Sequence, residues 1–417
     1  MRKDTIKLAV LILVLCCGAL GVFAAASGLL APEQGGESSA PAGPASSSAA
    51  EEPAPPPDVV VRLRAVGDNL IHDSIYRQAA EYAGGNGFDF GPVYEHVAPL
   101  VADADLSFIN QETIIAERLY PLSGYPMFNS PEAVGRHMAE IGFDVVSVAN
   151  NHMFDMGEAG LAAALDFWEG LGVDVFGAWR TEAAMEHPVL TECHGITFGW
   201  VPMTEHTNGL SLPASTEMRY IRTDERELMK RQIELAREAA DFVIVVPHWG
   251  TEYSLEVNDS QLELAQWFAD LGVDLVIGSH PHTLQPIEWR TGQQGHRMLV
   301  AYSLGNFVGS MLYPQNMLGG MLDLDITKDG ETGETSITRA ELIPTVIHYE
   351  GLGKHLRTYP FSEYTGELAA AHGIVQLAAS YDVAIAPGAF SLDYMRGIIK
   401  KNVPEEFRPN LPLGTQK

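Results

Sequence analysis

Five apolar runs, each ending in residues of metal-binding type, constrain this chain more than any other feature. Phe143 to Val148 is short, β-branched and bounded by Gly142, as a buried parallel strand is, and it delivers Asn150, Asn151 and His152 to its C-terminal end. Val59 to Val66 leads into Gly67-Asp68, and Leu106 to Ile109 into Asn110-Gln111-Glu112. Phe242 to Val246 leads into His248, and Asp274 to Ile277 into Gly278-Ser279-His280-Pro281-His282. In open α/β sheets the loops leaving the strand tips surround the crevice where ligands bind. The pattern therefore sets carboxylates, amides and imidazoles along one sheet edge.

Helical spacing fills the intervals. Ser130-Pro131 opens a helix with Val134, Met138 and Ile141 on its buried stripe, and Leu161, Leu165 and Trp168 mark the next. Asp224 with Glu227 reads as a capping box, and Ser260 with Glu263 caps a helix carrying Leu264, Trp267, Phe268 and Leu271. Val173 to Phe176, Gly195 to Pro202 and Met298 to Ser303 are further strands. Strand, helix, strand order implies an α/β class with parallel neighbours and right-handed crossovers. Met321 to Ile326 and Thr335 to Ile343 form a hairpin placed at the sheet's edge. Helices near Glu367 to Ser380 and Leu392 to Lys401 make residues 345–417 a helical C-terminal extension packed on a main domain of residues 59–344.

The first 58 residues are of another kind. Arg2, Lys3 and Lys7 precede an uncharged stretch from Leu8 to Leu30, long enough to cross a bilayer as a helix and oriented with the N-terminus inside. Ala24-Ala25-Ala26 fits a signal-peptidase site, so residues 1–30 are a membrane anchor or a cleaved signal, the anchor being preferred. Residues 31–58, rich in Pro, Ala and Ser, form a flexible tether. The expected location is extracytoplasmic. Only Cys193 lies beyond the anchor, so the exported part has no internal disulfide and depends on its core. A formal net charge of −28 over 417 residues argues against a nucleic-acid partner.

Each polar residue also has an ordinary reading, in which Asp68 shapes a turn, His72 and His206 are loop histidines, and Asn306 supports the turn Leu304-Gly305-Asn306-Phe307. Five coincident strand tips favour the joint reading. His280 and His282, two residues apart, present their rings to one cavity if the segment is extended. Carboxylate, amide and imidazole donors without cysteine suit Mn, Fe, Zn or Mg. Two such cations about 3.5 to 4 Å apart need a bridging carboxylate, and metal-assisted hydrolysis is the usual use of the pair. There is no Gly-x-Ser-x-Gly elbow, Ser279 has no evident base, and no phosphate-binding loop motif occurs.

Gly67-Asp68, Asn110-x-Glu112, Ala149-Asn150-Asn151-His152, His248-Trp249-Gly250-x-Glu252, Gly278-Ser279-His280-Pro281-His282 and Ser303-Leu304-Gly305-Asn306-Phe307 together resemble the CapA (PgsA) family of poly-γ-glutamate capsule synthesis proteins. That family looks like a variant of the calcineurin-like metallophosphoesterases, and the likeness covers roughly Val61 to Pro344. It implies a four-layer fold, a β-sandwich flanked by helices, with a dinuclear metal centre and a membrane-associated setting. By the same resemblance Asp68, Asn151, His248, His280 and His282 are metal ligands, Glu112 the bridging carboxylate and His152 the general acid. Asn110, Asn150, His206, Glu252 and Asn306 stand around them. The phosphoesterase pattern has a histidine two residues after the first aspartate, but Leu70 stands there, so a ligand is missing unless His72 replaces it; His72 is otherwise expected as a catalytic neighbour of His152. The implied function is a metal-dependent hydrolase or transferase acting on an anionic capsule polymer or its precursor, beside membrane synthesis subunits. The alternative is a non-catalytic subunit that binds the polymer through its cations.

Overall fold

Alternate residues of a single strand face two different apolar cores: Phe242, Ile244 and Val246 join one, Val243 and Val245 the other. Side chains on a strand alternate faces, so a run without polar interruption is a strand covered on both sides. The computed structural model describes residues 55–386, 388–411 and 413. The anchor or signal and most of the tether, residues 1–54, lie outside them. Among the described residues no helix is long and apolar enough to cross a membrane.

The strands in chain order are β1 (Val59–Asn69), β2 (Leu106–Asn110), β3 (Val145–Ser147), β4 (Asp174–Phe176), β5 (Val189–Cys193), β6 (Ile196–Thr204) and β7 (Phe242–His248). Then come β8 (Leu275–Ile277), β9 (Ile287–Thr291), β10 (Arg297–Ala301), β11 (Asn306–Val308), β12 (Leu318–Lys328), β13 (Thr335–Glu350) and β14 (Lys354–Pro360). One sheet runs β14-β13-β12-β1-β2-β3-β4, with β11 also pairing β1. The other runs β5-β6-β7-β8-β10-β9. β1 to β4 are parallel neighbours, as are β6, β7, β8 and β10.

The two sheets pack face to face. Trp200 of β6 stacks on Phe108 of β2 and Phe176 of β4, with ring centroids 5.5 and 5.4 Å apart. Full burial of a side chain such as Phe108 contributes about 1.5–3 kcal/mol. On its other face the second sheet is covered by the helices Arg226–Ala239 and Asp259–Asp270, through Met229, Ile233, Leu264 and Phe268. This is the helix-flanked sandwich that the family resemblance implied.

Several local expectations are corrected. The β12–β13 hairpin is internal rather than at the edge, because β1 covers β12 and β14 covers β13. The boundary at residue 344 falls inside β13, and residues 345–350 and 354–360 are strand rather than helix. Beyond them the expected helices are present, at Gly366–Ala371, Ile374–Ser380 and Leu392–Asn402. The box that starts Asp259–Asp270 is formed by Asn258 with Gln261, not Ser260 with Glu263. Glu225 occupies the cap of Arg226–Ala239 and makes no side-chain cap bond, so Asp224 and Glu227 form no box. Pro131, not Ser130, sits at the cap of Glu132–Glu140.

The C-terminal helices attach to β13 through buried His372, whose Nε2–H donates to the Ile347 carbonyl at 3.0 Å while Nδ1 accepts from the Ile374 N–H at 2.9 Å. Burial lowers its pKa to about 3, and nearby His348 lowers it further against the Ile347 bond. Below about pH 6.5 the unfolded chain takes up a proton that the folded chain refuses. Stability is therefore full above that pH and declines as pH falls toward about 3. We expect the melting temperature, measured in chelator, to fall less steeply between pH 6.5 and 4 in His372→Asn than in the wild type; parallel curves would remove this residue from the acid transition.

Candidate metal centre

Strand register brings the polar tips level. Asp68 pairs with Asn110 on one side and with Asn306 on the other. In the second sheet Thr204 pairs with His248, and His248 is bridged to Ser279. Two glycines permit this crowding: a Cβ on Gly67 would lie 1.9 Å from the Gly305 carbonyl oxygen, and one on Gly278 would lie 2.0 Å from that of Tyr302. His280 and His282 do converge on one cavity, but not from extended backbone. Their φ values are 98° and 56°, a left-handed turn that aims both rings inward.

Six of the predicted residues meet here, all buried. Glu112, His248 and His280 place one ligand atom each within 4.8 Å of one another, and so do Asp68, Glu112 and His282. Glu112 belongs to both groups. Its Oε1 lies 3.7 Å from His248 Nε2 and 3.6 Å from His282 Nε2. Asn151 Oδ1 lies 3.0 Å from His248 Nε2, and His280 Nδ1 lies 3.1 Å from the same atom. Asp68 Oδ2 lies 3.1 Å from His282 Nδ1.

The surrounding residues orient these donors. Asn110 donates to Asp68 Oδ1 at 2.7 Å, and Asn306 Oδ1 accepts from His282 Nδ1 at 2.9 Å. Ser279, which sequence reading weighed only as a nucleophile, places its Oγ 2.9 Å from His248 Nδ1. Asn150 is turned away to hold the loop, donating to the Gln111 carbonyl and accepting from the His152 N–H. Exposed His206 reaches His280, Nε2 to Nε2 at 3.3 Å. Glu252 is exposed and contributes only its field. His152 is held by buried Asp155, Nδ1 to Oδ2 at 2.7 Å, a partner three residues on that sequence reading missed.

His72 belongs to neither ligand group. Its Nδ1 lies 3.2 Å from both the Ser310 nitrogen and the Leu70 carbonyl oxygen, and Phe128 stands against both His72 and His152 at 5.4 and 4.8 Å. Burial lowers its pKa to about 4. Leu70, at the position of the family's histidine, is buried in the main apolar cluster.

The electrostatics fit a cation. Both carboxylate oxygens of Glu112 are buried without a hydrogen-bond partner. Leaving such a group unanswered costs about 1–3 kcal/mol, more when it is charged. Burial pushes the Glu112 carboxyl well above its ordinary pKa, with Asp68 and Glu252 adding to the push against His282. His248 and His280 are driven well below theirs by burial first, then by His280 for His248 and by His282 for His280, which keeps them neutral as ligands must be. For His282 burial acts downward, yet Glu112 and Asp68 raise it to about 10. If His248 gives its Nδ1–H to Ser279, its Nε2 lone pair faces the oxygens of Asn151 and Glu112, acceptor against acceptor. A cation between them resolves the conflict.

Fold and site together define an α/β sandwich protein with a buried group of carboxylates and histidines able to hold metal ions at the strand tips. The chain belongs to the family described as bacterial capsule synthesis protein PGA_cap, whose model matches residues 62–311. It is 30% identical over 212 residues to the PGA biosynthesis protein CapA of Bacillus subtilis (strain 168), covering 51% of this chain and 53% of that one. It is 27% identical over 240 residues to the capsule biosynthesis protein CapA of Bacillus anthracis, covering 56% of each. The chain thus spans about half the length of the curated relatives it matches. Among solved structures, a putative 5'-nucleotidase from Staphylococcus aureus is similar with a TM-score of 0.42 and 15% identity, over 69% of this chain and 54% of that one.

Proposed function

We propose that this protein is a metal-dependent hydrolase or transferase of capsule polymer synthesis, anchored outside the cytoplasm by its N-terminal segment and acting on an anionic polymer or its precursor beside membrane-bound synthesis subunits. The observation that carries the reading is the shared, unpartnered Glu112 between two groups of ligands. The donors would hold two divalent cations, Mn, Fe, Zn or Mg, with Asp68 and His282 on one side of Glu112 and His248, His280 and Asn151 on the other. Bound there, the cations supply Lewis-acid charge to a phosphoryl or carbonyl oxygen. They also offset the net charge of −28 that an anionic substrate would otherwise meet. His152 turns its Nδ1 to Asp155, and its Nε2, 3.4 Å from Asn208 Nδ2, would give a proton to the leaving group. Ser279, Asn110 and Asn306 fix the ring and carboxylate orientations.

The test is metal content together with turnover of a phosphoester by the purified protein. With the cation supplied in excess we expect close to two equivalents of metal, turnover that stops in chelator, and its loss by at least about a hundredfold in the double variant Asn151→Ala/His282→Ala. Metal-dependent binding of γ-linked glutamate polymer with no bond cleaved would overturn the enzyme reading in favour of a polymer-binding subunit.

A further inference from the structure

Beside the centre lies a cleft of about 580 Å³, within the size range of small-molecule sites. Tyr253 joins the two: on the wall of the cleft, it stacks on His282 with centroids 6.1 Å apart and planes at 29°. Tyr313 lies against Tyr253 at 5.4 Å. Eleven large hydrophobic side chains are exposed among the described residues, and five of them, Tyr125, Tyr253, Tyr313, Leu352 and Tyr381, line this one cleft. Apolar exposure gathered at one place marks a binding surface rather than chance.

The chemistry of the lining narrows the occupant. No lysine or arginine faces the cleft, and its one carboxylate, Asp73, is paired with Arg77 at 3.0 Å. A polyanionic strand would find no counter-charge there. Four tyrosine side chains, with Ser74 and Ser310, bring hydroxyls to its wall. An acyl or prenyl tail would cover these hydroxyls and leave them without partners. Rings that offer an apolar face and a polar edge suit a neutral group built the same way.

We propose that this cleft is a subsite for an uncharged, hydroxyl-bearing ring, a sugar residue, whose anionic substituent is held at the neighbouring centre. The proposal rests on the function given above for that centre. It makes the substrate a glycosyl compound carrying one anionic group, rather than the glutamate polymer itself.

Binding to the full chain, purified in a sugar-free detergent, separates the two claims. The neutral probe is methyl glucoside followed by saturation-transfer NMR, and the charged probes are glucose 1-phosphate and inorganic phosphate. We expect methyl glucoside to bind saturably with or without metal, and to weaken about tenfold in Tyr313→Ala and in Tyr381→Ala, the effect of losing one aromatic contact. Both variants should bind inorganic phosphate as the wild type does. Glucose 1-phosphate should bind tighter than either part, and only when metal is present. Absence of saturable sugar binding, sugar binding indifferent to both tyrosines, or a preference for adenosine or a γ-linked glutamate oligomer overturns the subsite. Sugar binding that persists while metal adds nothing for glucose 1-phosphate overturns the reading of the centre instead and leaves the subsite standing.

Discussion

Replacing Glu112 by glutamine is expected to abolish metal retention at both sites at once, a larger loss than any other single change at the centre. Glu112 is the one residue common to the two ligand groups, and its oxygens have no other partner to keep them in place. Glutamine preserves the volume and removes the charge. In the wild type, saturating each site at free metal about a hundredfold above its dissociation constant adds about 2.7 kcal/mol of stability, a rise of roughly 3 to 4 °C per site in a chain of this size. The variant should show no rise. Its metal-free form should melt no lower than metal-free wild type, because the desolvated carboxylate that burial pushes upward has been removed. A Glu112→Gln protein that kept two equivalents of metal would show that the two groups are held by something other than this carboxylate.

Much of this centre was legible because the chain writes it at strand ends. Asp68, Glu112, Asn151, His248 and the His280–His282 pair each follow an apolar run, and a run covered on both faces can only be an inner strand. What was not legible depends on loop conformation or on weak patterns. Asp155 reaches His152 only because the loop after β3 curls through three residues before the helix Gly157–Glu169. Tyr253 is carried into the cleft by a φ of 64°, which no periodicity records. β14 escaped notice because its inward positions are Leu356, Thr358 and Pro360, only one of them a large aliphatic residue, while the charged Lys354 and Arg357 suit an edge strand that must not recruit another chain. β11 is three residues long and takes its place from pairing with β1 rather than from its own composition.

The two halves of the centre are not equivalent, and metal titration should resolve them into two steps. Around His248 the donors are two imidazoles, an amide oxygen and the Glu112 carboxylate, a set that favours a borderline transition metal. Around Asp68 they are two carboxylates and one imidazole, with apolar Leu70 at the position of a further histidine and His72 bonded elsewhere. Fewer nitrogen donors mean weaker retention and a harder ion, Mn or Mg in preference to Zn. We therefore expect one equivalent of metal to survive dialysis and a second to load only when the free cation is raised, by about a hundredfold or more. Asp68→Asn should remove the second step and leave the retained equivalent, whereas His248→Ala should remove the retained one. Leu70→His, restoring an imidazole on the poorer side, should move the second step toward the first. Both equivalents leaving together on dialysis, or Asp68→Asn stripping the retained metal, would show that the cations bind as a single cooperative unit and that the missing histidine carries no consequence for affinity.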